Sequence, residues 1–196
     1  VWDLSNEPGN NFLVSLNLPP ILRYATILLR LIKHLLVAGP TRVLLKKAFE
    51  WAREVGPSQP LTAGTYHLTP FLGAKHNAVC LEESDVVSFH SYFNLVETEK
   101  LVTKLEEWGR PLFCTEYMAR SAGSTFETIM PFFKEKKIGA INWGLVAGKT
   151  QTYYSWEDYF PNGEEPPLWF HDILRKDGSP YLAEEVALIK NLTGKA

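Results

Sequence analysis

Cysteine is scarce in this 196-residue chain, with only Cys80 and Cys114 present. A disulfide scaffold is therefore not the source of its stability, which must come from a hydrophobic core. Net charge is also in short supply, since 20 Lys and Arg stand against 22 Asp and Glu for a formal net charge of -2. No basic field favours phosphate, which argues against nucleic acid as a partner. No strand-like run is followed by a glycine-rich phosphate loop, so P-loop and dinucleotide folds find no support. No serine sits in a G-x-S-x-G elbow. The five histidines, His34, His67, His76, His90 and His171, form no H-x-H or H-E-x-x-H spacing. A metal centre is not expected on that pattern, and no cofactor is implied. The most apolar stretch lies within 11–40, but charges interrupt it well short of the ~20 residues that a membrane span needs.

Aromatic residues, by contrast, are abundant: six Trp and eight Tyr stand in a composition that is 45% hydrophobic. Such rings fill a core or form flat platforms for ligands. Short apolar runs alternate with helical patterns along the chain. Strands are expected over 1–7, 61–67, 85–93, 111–118 and 140–146, and helices over 41–55, 95–108, 125–137 and 182–192. In the helix at 41–55 the apolar positions Val43, Leu44, Ala48, Trp51 and Val55 recur at helical spacing. LPPILRYATILLRLIKHLLVAGP, ending at Pro40, reads as an atypical apolar helical insertion over about 11–40 that packs in a core or an interface, with a helix lying on a membrane surface as the alternative. Cys114 lies inside an apolar run and reads as a buried thiol. Alternating strands and helices predict an α/β fold with a parallel sheet. An open doubly wound sheet and a (β/α)8 barrel both fit, the latter normally needing about 250 residues.

Ligands of parallel α/β sheets collect at the C-terminal strand ends. Those ends hold Asn6-Glu7, Tyr66-His67, His90-Ser91-Tyr92, Thr115-Glu116-Tyr117 and Asn142-Trp143. Polarity gathers there, while Val86-Val87 and Leu112-Phe113 stay apolar. Glu7 and Glu116 are distant in sequence yet occupy equivalent strand ends. Two carboxyls facing across a sugar can split a glycosidic bond, one as general acid and the other as nucleophile or base. Their surroundings must then push their pKa values apart. Tyr153 and Trp156, on the long loop after the last strand, either extend a cleft or pack as aromatics within that loop.

WDLSNEP, SFHSY, FCTEYMAR and INWGLVAGKTQT, in that order, resemble strands four, six, seven and eight of clan A retaining glycoside hydrolases, most of all the cellulase-like, family 5-type enzymes. PPLWFHDILRKDGSPYLAEEVALI is similar to their C-terminal region. The resemblance covers most of 1–10 and 41–193. It implies a single truncated TIM-barrel catalytic domain over 1–196, with about five βα units corresponding to strands four to eight. It implies Glu7 as acid/base, Glu116 as nucleophile and Asn6 as donor to the sugar 2-hydroxyl. Tyr92 would orient Glu116, His90 would contact substrate or acid, and Trp143 would be the stacking platform, with His67 lining the site. The implied substrate is a β-linked polysaccharide or oligosaccharide, and the implied location is secreted or periplasmic. The family's first three strands have no counterpart, so open sheet edges would be covered by 11–40 or by a second copy. A non-catalytic carbohydrate-binding remnant and an inactive fragment are the alternative readings.

Overall fold

The computed structural model describes residues 1–10, 20–66, 74–156 and 163–194. The expected helical run over 11–19 and the site candidate His67 lie outside the described residues. The chain divides into two compact units: Val1–His90 with Trp108–Leu112, and Ser91–Glu107 with Phe113–Ala196.

In the first unit, strand β1 (Trp2–Asp3) is followed by helix α1 (Pro20–Val55), strand β2 (Leu61–Thr62), helix α2 (Ala74–Glu83) and strand β3 (Val87–Ser91), whose final residue falls in the second unit. β1 runs parallel to β2, with Trp2 opposite Leu61 and Asp3 opposite Thr62. The Leu4 N–H donates to the Thr62 carbonyl (2.9 Å) and the Gly64 N–H to that of Ser5 (3.1 Å), carrying the ladder beyond both strands. Thr65 makes a parallel bridge to Phe89 and so links the β2 extension to β3. Asn77 on α2 clamps that extension, its side-chain amide meeting both the N–H and the carbonyl of Tyr66.

The core of this unit is Leu45, Phe49, Leu61, Ala63, Val79 and Cys80, with Leu4 and Ala52 packed against it. α1 therefore buries the stripe Leu45–Phe49–Ala52. Val43, Leu44, Trp51 and Val55, expected to face inward, are instead exposed. The helix carries two apolar stripes one residue apart, and spacing alone does not rank them. α1 is also longer than the expected 41–55, because it runs unbroken through Pro40. A proline inside a helix forgoes one backbone bond rather than necessarily ending it. Among the described residues no helix is long and apolar enough to cross a membrane.

The second unit holds helix α3 (Leu95–Glu106), strand β4 (Leu112–Tyr117, its first residue in the other unit), helix α4 (Phe126–Glu135), strand β5 (Gly139–Asn142) and helix α5 (Ala183–Thr193). Asn94 caps α3 by accepting from the Glu97 N–H at 3.1 Å, which satisfies one orphan donor of the first turn. β4 and β5 are parallel, with Phe113 opposite Gly139 and Cys114 opposite Ala140. Gly139 is a matter of space: a Cβ there would lie 2.2 Å from the Phe113 ring. α4 buries Phe126, Ile129 and Phe133, and Tyr117 meets Phe126 and Phe133 edge-on. α4 in turn packs on β5 and α5. The molecule is thus a mixed α/β protein whose named strand pairs are parallel.

Candidate active site

Glu7 stands where the β1 ladder ends and the chain turns at Pro8-Gly9. Its backbone has φ +43°, a left-handed conformation that is uncommon for a residue with a side chain and persists only when its surroundings enforce it. Asn10 supplies the enforcement twice. Its N–H donates to the Glu7 carbonyl (2.7 Å), and its side-chain amide donates to Glu7 Oε2 (2.8 Å). Glu7 Oε1 takes a third bond, 2.7 Å from His90 Nδ1, with the Glu7 side chain 16% and that of His90 4% exposed. His90 sits near the end of β3 with its ring over Gly64, where a Cβ would come within 3.1 Å of Nε2. The Asn6 amide oxygen lies by the same glycine, 3.8 Å from that Cβ position, and the residue is exposed.

The second unit presents the other carboxylate. Glu116, the penultimate residue of β4, is 8% exposed. Its Oε2 accepts the Tyr92 hydroxyl at 2.7 Å. Tyr92 directly follows β3 and is walled by other rings, with Trp156 edge-on at 5.0 Å and His171 tilted at 5.4 Å. Trp143 follows β5, and its N–H donates to the Tyr117 carbonyl, one residue beyond Glu116. Its side chain is exposed. Beneath the site, the Cys114 thiol is buried, as the sequence implies, and its ionisation is strongly disfavoured by desolvation.

His171 was not singled out from the sequence as a site residue. Its Nδ1 lies 2.6 Å from the Met118 carbonyl. A carbonyl can only accept, so Nδ1 carries the proton. Burial pushes this imidazole down to about 4, keeping it neutral, and its Nε2 is buried without a hydrogen-bond partner among the described residues. Met118 itself has φ +78°. His171 thus holds the strained backbone two residues past Glu116 and backs the ring of Tyr92.

No family model and no curated protein matches this chain. Among solved structures it is similar to an exo-β-agarase, at 14% identity and TM-score 0.49, over 92% of this chain and 24% of that one. It is also similar to a second agarase, at 12% identity and TM-score 0.47, over 82% of this chain and 24% of that one. The chain therefore spans about a quarter of the length of either agarase.

Each unit, taken by itself, builds one oriented carboxylate: Glu7 with His90 in the first, Glu116 with Tyr92 in the second. Asn10, Gly64 and His171 are the supporting residues that sequence reasoning missed. Asn10 had a local signal, because an Asx residue after Pro-Gly commonly closes a turn. His171 had none, because its partner Met118 is 53 residues away in the chain.

Proposed function

We propose that this chain is the C-terminal part of a (β/α)8-barrel glycoside hydrolase, corresponding to strands four to eight. In this reading it cleaves β-glycosidic bonds in a polysaccharide or oligosaccharide by a retaining mechanism. The observation that carries it is the hydrogen bond from the Tyr92 hydroxyl to Glu116 Oε2 at 2.7 Å, which aims a nearly buried carboxylate at a strand end. A phenol donor stabilises the ionised carboxylate and fixes its rotamer, as a nucleophile requires. The tie of Glu7 to a histidine and an asparagine supports its assignment as the acid/base partner.

The Glu7 carboxyl protonates the leaving oxygen while Glu116 attacks the anomeric carbon, giving a glycosyl ester. Glu7 then takes a proton from water, which hydrolyses the ester and restores both groups. Retention requires the two carboxyls to face each other at about 5–5.5 Å. Asn6 donates to the sugar 2-hydroxyl, and exposed Trp143 offers its ring as a platform.

The test is labelling by a mechanism-based glycosyl inhibitor. The label is expected on Glu116, and Glu116→Gln should abolish both labelling and turnover. Glu7→Gln should slow turnover by about 10²–10⁴-fold, the usual contribution of general acid–base catalysis. Hydrolysis that survives in Glu116→Gln would remove the nucleophile assignment. Sugar binding with no labelling of the parent chain would identify a non-catalytic carbohydrate-binding remnant.

A further inference from the structure

The second unit contains a cavity of about 450 Å³ that neither Glu116 nor Tyr92 lines. That volume lies within the usual range of small-molecule sites. Its walls include Tyr153, Trp169, Glu165, Arg175, Lys176 and Asp177, all from the long segment after β5. Tyr153 rests against Trp169 with centroids 5.3 Å apart, and Trp169 is stacked on Tyr181 at 4.5 Å. The aromatic wall is therefore braced by its neighbours, with the Tyr154 ring also tilted against Tyr153 at 4.4 Å. Arg175 lies over Trp169 at 5.1 Å and completes the brace.

Glu165 is held in place by the Trp169 indole N–H (2.8 Å) and the Arg175 guanidinium (3.2 Å), both donating to Oε1. Its other oxygen has no partner among the described residues. The Tyr153 hydroxyl, bonded to Tyr154, is pushed up to about 12 and stays protonated at neutral pH. The charges of the lining cancel, with Glu165 and Asp177 against Arg175 and Lys176. A flat ring, an oriented acceptor and an ammonium donor in a field of no net sign suit an uncharged polyhydroxylated ligand.

We propose that this cavity is a second saccharide site. It takes a neutral pyranose unit with one C–H face on Tyr153 and a hydroxyl on the open oxygen of Glu165. The inference rests on the carbohydrate reading above and deepens it, giving the chain a hold on its polymer away from the reacting bond.

The experiment titrates the whole chain with cellohexaose, xylohexaose, mannohexaose and, as an anionic comparator, tetragalacturonate. Binding is followed by calorimetry and tryptophan fluorescence. At least one neutral hexasaccharide is expected to bind more than tenfold tighter than the uronate. Tyr153→Ala should weaken that binding tenfold or more, while inhibitor labelling of Glu116 stays unchanged. Glu165→Gln, at a surface-exposed side chain, should weaken it three- to tenfold and decides the matter if Tyr153→Ala does not fold. Three results would overturn the proposal: no hexasaccharide binding, preference for the uronate, or unchanged affinity in both folded variants. Loss of binding in Tyr153→Ala with Glu116 unlabelled in the parent would leave the cavity standing and remove the catalytic reading. The reverse pattern would remove the cavity alone.

Discussion

A single absent methyl group governs the geometry around Glu7. Gly64 leaves room for the His90 ring, and a Cβ there would press on it at 3.1 Å. Gly64→Ala should therefore displace His90 by a few tenths of an ångström and take Glu7 with it. We expect turnover to fall about tenfold, since small misplacements of reacting groups cost rate steeply. Thermal unfolding should barely move, and that contrast separates positioning from folding. His171 has a different signature. Its folded pKa, about 4, lies below the unfolded value near 6.5, so the unfolded state binds more protons between those limits. Its contribution to stability is complete above pH 6.5 and falls by about 1.4 kcal/mol per unit as the pH drops toward 4. Asp172 beside it is shifted upward, chiefly by burial, and opposes this slope at the acid end. The measurement is thus comparative: urea midpoints at pH 7 and pH 4.5 should differ less in His171→Asn than in the parent chain.

Among the elements, α1 gives the clearest contrast between legible and illegible sequence. Its existence was readable from periodicity, but its buried face was not. Leu45, Phe49 and Ala52 repeat at the same spacing as Leu44, Ala48 and Trp51, and only the strand beneath selects one stripe. Phe49→Ala should cost about 3–5 kcal/mol, as for other buried aromatics, whereas Leu44→Ala should stay within about 0.5 kcal/mol, as at other exposed positions. Denaturant titration of the two variants tests the assignment of faces. The places of the strands were legible because turn formers bound each one, but their lengths were not: β1 and β2 are two residues each where 1–7 and 61–67 were expected, since the pairing beyond them is carried by single backbone bonds. β5 is shorter than expected, ending at Asn142 rather than 146, because the chain turns at Gly144 with φ +80°. The strand-end carboxylates were legible because their neighbours are polar where the strand interiors are not. Their clamps were not, because Asn10, Gly64 and His171 act through contacts that only folding creates.

Over the second unit as a whole, one buried ion pair gathers distant segments. Arg120, just past β4, donates through Nε and Nη2 to both oxygens of Glu185 on α5, at 2.8 and 2.6 Å. It also donates to the carbonyls of Trp169 and Asp172 and lies 5.0 Å from the Tyr181 ring. Removing one partner strands a buried charge, which typically costs about 3–5 kcal/mol. Glu185→Ala should therefore lower the unfolding midpoint sharply, and the double change Arg120→Met with Glu185→Leu should recover much of the loss. Equilibrium unfolding of the three proteins checks this.

The two cysteines were introduced as a scarcity, and their placement turns that scarcity into an instrument. Cys80 lies in the first unit and Cys114 in the second, 1% and 0% exposed, and burial pushes both thiols upward. A thiol-directed reagent in water can reach neither until its own surroundings open, so alkylation becomes a pair of independent clocks. Mass spectrometry of the modified peptides over time would read each opening rate from one tube, with no probe attached to the chain.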